Sequence, residues 1–121
     1  MENLVGYCVE WLDIQKPVEF RIEAYRGKMK LAGLCESRYR KDKLHKHVIF
    51  LNLEVIGKSE YNLNDVIAHE LIHAHMVEHG LFDEHYHHNE TFQKLAQKLA
   101  NDLISEGFDI ETLYDSNIDT E

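Results

Sequence analysis

With 121 residues, 44% of them hydrophobic, the chain is long enough for one domain with a single modest core. Two cysteines, Cys8 and Cys35, stand far apart with no CxxC partner, which excludes a zinc ribbon and speaks against a disulfide scaffold, and the net charge is −9. No apolar run is long enough to span a bilayer, and the acidic start MENLVGYCVEWLDIQ lacks the basic region of a secretory signal, so a reduced, intracellular protein is expected.

Residues 2–14 set Leu4, Val5, Cys8, Trp11 and Leu12 at helical spacings, predicting an amphipathic first helix with Trp11 in its core face, ended by Pro17. Val18, Phe20, Ile22 and Ala24 then alternate with Glu19, Arg21 and Glu23, the period of a half-buried strand, and Gly27 offers a turn. Two further strands are predicted over residues 28–39 and 47–53, joined by the polar connection RKDKLHK. Together they make a three-stranded antiparallel meander in an α+β fold.

Charge is divided along the chain. Between Lys16 and His47 stand ten Lys or Arg against four Asp or Glu, a local +6 in a chain of −9, which leaves −15 on the rest. One reading of the block is a surface for DNA or another polyanion, with Arg38, Arg40, Lys41, Lys43 and Lys46 as contacts and His45 and His47 touching phosphate. The other is a solvated sheet face balanced by neighbouring acids.

Next comes NLNDVIAHELIHAHMVEHG, residues 62–80. Asn62 can cap a helix, Asp65 takes a capping-box-like position three residues on, and Gly80 follows the last turn. Leu63, Val66, Ile67, Leu71, Ile72, Ala74 and Val77 leave few faces for water, which predicts a largely buried helix. Inside it lies the pentad His69-Glu70-Leu71-Ile72-His73, an HExxH pattern. Residues four apart share a helix face, so His69 and His73 can aim two nitrogens at one point about 2 Å from each, where zinc fits. Glu70, expected to look into open solvent, can take a proton from water there without being a ligand. Nine histidines in the chain make a chance match about 7 in 100, so a third ligand has to carry the reading further.

The third ligand has several candidates. A metzincin arrangement is excluded, because Met76 stands where its glycine belongs and His79 does not line up with the pair. Glu90 and His88, seventeen and fifteen residues past His73, are open, with His85 and His87 as rivals. His75 and His79 form another pair, turned about 240° from the first, and read as surface residues rather than a second metal site. A second long helix is predicted over residues 90–106, with Phe92, Leu95, Ala96, Leu99 and Leu103 as a core stripe and Gly107 at its end. Residues 108–121 form an acidic tail, expected to be partly docked through Phe108, Ile110, Leu113, Tyr114 and Ile118 and frayed at its end.

IFLN followed by NDVIAHELIHA, with HNETF fifteen residues past the second histidine and AGLC at Ala32 to Cys35, resembles the SprT-like metalloprotease family, the family of the DNA–protein crosslink protease Spartan. The resemblance covers roughly residues 30–99. It implies a zincin-like fold and a zinc ion held by His69, His73 and His88, with Phe92 matching the family's phenylalanine and Asn89 replacing its usual glycine. It also implies an endopeptidase in which Glu70 draws a proton from the attacking water, acting on protein substrates that include DNA-bound or DNA-crosslinked ones. The chain reads as a minimal form without a zinc ribbon. Tyr61, Tyr86 and His87 are candidate oxyanion donors. A second reading keeps the zinc as a staple only, in a non-catalytic module that binds nucleic acid or a protein partner.

Overall fold

The computed structural model describes residues 2–59, 61–113 and 115–119. In chain order these form helix α1 (Glu2–Trp11), strands β1 (Val18–Arg21), β2 (Gly33–Arg40) and β3 (Lys43–Leu51), and helices α2 (Leu53–Lys58), α3 (Leu63–Glu78) and α4 (Glu90–Ser105). The α+β class and the order of the predicted elements hold. Tyr114, one of the expected tail anchors, and residues 120–121 lie outside the described residues. None of the described helices is long and apolar enough to cross a membrane.

The strands do not form a meander. Their order is β1-β3-β2, with β1 parallel to β3 (Phe20 opposite Ile49) and β2 antiparallel to it (Cys35 opposite Ile49). The reason lies in β3, where Val48, Ile49, Phe50 and Leu51 are all buried. A strand covered on both faces and paired on both edges is the one that can carry an unbroken apolar run. Residues 22–32 leave room for β3 between the other two. Ile22 is exposed, and the chain turns through a short 3-10 helix at Tyr25–Gly27, with Arg26 and Gly27 at φ 45° and 76°.

Two other differences are local. RKDKLHK is not a loop, because β2 and β3 both run into it and turn on Lys41 and Asp42 alone, at φ 52° and 64°. Two successive left-handed residues are the type I′ turn that matches strand twist. Helix α2 is an addition to the predicted elements. Asn52 caps it by accepting from the Val55 N–H at 3.3 Å, and with Ile56 its one buried side chain among the described residues its periodicity is too short to register.

Helix α3 is the centre of the packing. One face of the sheet lies against it, and α1 and α4 pack on its other sides, so that ten of its residues are buried. Leu4, Cys8 and Leu12 come from α1 and its end, and Phe92, Ala96, Leu99 and Leu103 from α4. Trp11 is only half-buried, and its indole N–H donates to Asp102 Oδ2 of α4 at 2.7 Å. His75 and His79, expected at the surface, bond the backbone carbonyls of Leu12 and Asp13 beyond the end of α1, where a helix leaves carbonyls unpaired.

His47 is fully buried, contrary to a role at phosphate. Its Nε2 lies 3.1 Å from Glu78 Oε1 and its Nδ1 2.8 Å from Ser37 Oγ. An ionised carboxylate only accepts, so Nε2–H donates to Glu78 and, in the neutral ring, Ser37 donates to Nδ1. Glu78 also accepts from the Gln15 and Lys16 backbone N–H groups, at 2.5 and 3.0 Å. The last residue of α3 is thereby joined to β3 and to the stretch that leads into β1.

Candidate metal centre

Three imidazoles meet beside α3. His69 and His73 come from adjacent turns of that helix, and His88 comes from the loop that leads into α4. The His88 Nε2 lies 3.1 Å from the Nε2 of His69 and 3.1 Å from that of His73. Phe92, fully buried in the first turn of α4, walls the group from the core, its ring centroid 4.9, 4.6 and 5.0 Å from those of His69, His73 and His88. Asn89 caps α4 by accepting from the Phe92 N–H at 3.0 Å, which is what the residue in the place of a glycine does here. Gln93 holds the His88 carbonyl at 3.0 Å.

A fourth group joins them that the sequence does not announce. Asp119 Oδ2 lies 3.1 Å from His69 Nε2 and 2.8 Å from His73 Nε2, and its Oδ1 lies 3.0 Å from His88 Nε2. Four ligand atoms, one from each residue, fall within 4.8 Å of one another. In sequence the tail is an acidic segment with a few apolar anchors, and nothing near Asp119 marks it as a ligand. The nearest signal is Ile118, an apolar residue in a polar stretch, which is buried and carries its neighbour inward.

The tail reaches the site because the start of α3 grips it. Asp65 does not close a capping box; its carboxylate accepts from the Glu111 and Thr112 N–H groups at 2.9 and 3.2 Å. Asn62 and Asn64 donate to the Asp109 carbonyl at 3.0 and 3.2 Å. His69 Nδ1 then donates to the Leu113 carbonyl at 2.6 Å.

These contacts decide whether a metal fits. Since the Leu113 carbonyl can only accept, His69 carries a proton on Nδ1, the tautomer that in a neutral ring turns the Nε2 lone pair toward a metal. Burial, only partly opposed by Asp119, lowers His73 to about 4, so it too is neutral near pH 7. One proton on His88 Nε2 cannot serve both lone pairs. A cation answers all of them, and imidazole nitrogens with a carboxylate oxygen are a donor set for zinc and similar divalent ions. Tetrahedral bonds of 2.0–2.1 Å put ligand atoms about 3.3 Å apart, close to the separations above.

Glu70 differs from expectation. It is fully buried rather than open to solvent, and neither of its oxygens has a well-formed hydrogen bond. Burial first, and then the negative charge of Asp119, push its carboxyl well above the ordinary value. Gly33 of β2 passes so close that a Cβ there would lie 3.2 Å from Glu70 Oε2.

Of the other sequence candidates, His85, Tyr86, His87 and Glu90 line one cavity of about 640 Å³ together with His88. His87 stacks on Phe82 at 5.3 Å and lines a cavity of about 160 Å³ beside His73 and Asp119. Tyr86 is exposed on the loop, and Tyr61 lines a separate cavity with Asp65, Thr112 and Asp115. Glu90 is exposed and paired with Lys94 at 2.9 Å, which removes it as a ligand, and His85 is exposed. Arg38 is paired with Glu36 at 2.7 Å and Lys46 with Glu19 at 2.9 Å, as the balanced-face reading requires. Arg40, Lys41 and Lys43, at the hairpin end, form no ion pair among the described residues.

Residues 12–113 match the model of the SprT-like family, most of the chain and all three histidines. The chain belongs to the SprT-like family. No curated protein and no solved structure matches it. SprT-like chains carry a metallopeptidase-like domain, and the histidine cluster lies within the matched part of this one. Asp119 lies outside it.

Proposed function

We propose that the chain is a zinc-dependent endopeptidase in which His69, His73 and His88 hold the ion and Glu70 is the general base. The observation that carries the reading is Glu70, a buried carboxylate without a well-formed hydrogen bond, adjacent in sequence to a metal-binding histidine. Leaving a buried carboxylate in that state costs on the order of 1–3 kcal/mol or more. A site that only stapled the fold would be better with an apolar residue there.

Zinc, when bound, supplies a Lewis acid for the peptide carbonyl and for the attacking water. The chain's own residues do the rest. Leu113 fixes the His69 ring, Phe92 excludes water from beneath the imidazoles, and Glu70, in the state where water reaches it and a bound cation offsets the charge of Asp119, takes the proton from water and passes it to the leaving amine. General-base help of this kind is worth about 10² to 10⁴ in rate. His87, the one oxyanion candidate lining the cavity beside His73, would donate to the developing charge.

Glu70→Gln is the test. Zinc retained at full stoichiometry with cleavage of an unfolded protein substrate lost supports the proposal. Equal cleavage by the variant, or none by the zinc-loaded unmodified chain on free and DNA-bound substrates, refutes it. A DNA-bound substrate is favoured by Arg40, Lys41 and Lys43, whose charges are open at the hairpin end; their reversal should weaken DNA binding and flatten its salt dependence.

One observation favours the second reading, a zinc staple. Asp119 completes a set of four protein ligands, the closed form typical of structural sites, whereas catalytic sites keep one position open.

A further inference from the structure

We infer that residues 115–119 are a displaceable occupant of the substrate cleft, with the Asp119 carboxylate standing where a peptide carbonyl or a product carboxylate would meet the metal. The inference rests on the peptidase reading and supplies its regulation.

The segment does two things that a bound peptide would do. Its Ile118 carbonyl accepts from the Ala32 N–H at 2.8 Å, immediately before β2, and β2 is an edge strand with β3 on one side only. An extended peptide joins a sheet by such backbone bonds. One residue further on, a carboxylate enters the three-imidazole cluster. The cavity that remains beside His73, walled on one side by Asp119, is about 160 Å³. That is below the roughly 300–1,000 Å³ of ordinary ligand sites, while a larger cavity of about 640 Å³, lined by Tyr86, His87 and His88, opens on the loop side of the cluster. Asp119 also stands against Glu70, which has no exposed surface while the segment is seated.

How the tail is held shows where it can part. Residues 109–113 are fixed by five hydrogen bonds to Asn62, Asn64, Asp65 and His69. Among the described residues, 115–119 are held by a 3-10 turn capped by their own Asp115, a backbone bond to Ala32, the buried Ile118 side chain and the carboxylate. The first part completes the histidine cluster by fixing His69. The second can leave without disturbing it.

The chain loaded with Co²⁺, whose visible spectrum reports its ligands, distinguishes the outcomes. Acetohydroxamate, a small chelator that needs an open metal position, is titrated into the unmodified chain, Asp119→Ala and Ile118→Ser. If the segment occupies the site nine-tenths of the time, Asp119→Ala binds the hydroxamate about tenfold more tightly, keeps its Co²⁺ and shifts the spectrum. Ile118→Ser, which loosens the segment and keeps the carboxylate, gives a smaller gain. Equal hydroxamate affinity and identical spectra across the three chains overturn the inference and leave the peptidase reading standing. Loss of Co²⁺ from Asp119→Ala makes Asp119 an obligatory ligand of a closed site and also overturns it. Failure of the unmodified chain to take up Co²⁺ removes the metal centre and both readings together.

Discussion

Replacing Gly33 with alanine measures how tightly the sheet edge is pressed onto the metal helix. A Cβ at that position lies 2.6 Å from Val66 Cγ1, well inside contact distance, and Val66 is fully buried. Gly33 is not among the glycines at positive φ, so the backbone accepts alanine and the cost is one of packing alone. Overpacking of this kind costs about 1–3 kcal/mol, and each kcal/mol lowers the Tm of a chain this long by roughly 3–6 °C. Val66→Ala removes two methyl groups, worth about 1.6 kcal/mol in transfer alone, and opens the space that the methyl added at position 33 would enter. The double variant should therefore be more stable than the sum of the singles by at least about 1 kcal/mol, since the residues touch. Urea unfolding followed by far-UV circular dichroism gives all four corners of the cycle. Additivity within about 0.5 kcal/mol, or a Gly33→Ala chain as stable as the unmodified one, refutes the claimed approach of β2 to α3.

Phe92→Ala leaves a void beneath three imidazoles and should cost about 3–5 kcal/mol, with zinc affinity falling as well; a chelator competition showing unchanged affinity would mean the ring does not position the histidines. Burial pushes the Cys8 thiol up to about 12 and Cys35 well above its usual value. A raised thiol pKa keeps the thiolate scarce below it, so at pH 8 both cysteines should react with iodoacetamide far more slowly in the folded chain than in urea, with the rate still climbing between pH 8 and 10. Mass spectrometry of the native reaction checks this, and labelling of Cys8 at the rate of a free thiol would contradict it.

The metal helix and α4 are legible in the sequence because each signal is local. Asn62 and Gly80 punctuate one, the Phe92 to Leu103 stripe marks the other, and four-residue spacing sets His69 above His73 whatever the rest of the fold does. His88 is named by resemblance and not by spacing alone, since Glu90, His85 and His87 are equally near. What is not legible depends on contacts far apart in sequence. The order of the strands follows from VIFL needing cover on every side, a signal present in the sequence but outweighed by the habit of pairing successive strands. Asp119 is 31 residues from His88 and no periodicity links them; the grip of Asn62, Asn64, Asp65 and His69 on residues 109–113 brings it near. The histidines at 47 and 75 read as solvated groups because a buried or half-buried imidazole looks the same in sequence as an exposed one until its partner is known.

Glu78 sets a limit on how this protein can adapt. Its carboxylate receives bonds from β3 and from the stretch leading into β1, so the far end of the histidine-bearing helix is bolted to two strands at once. That helix is not free to slide or swivel. If the proposed peptidase function holds, tolerance for substrates of unlike bulk resides in the loop over residues 79–89, and grafting that loop from one family member to another should transfer side-chain preference while the scaffold stays the same.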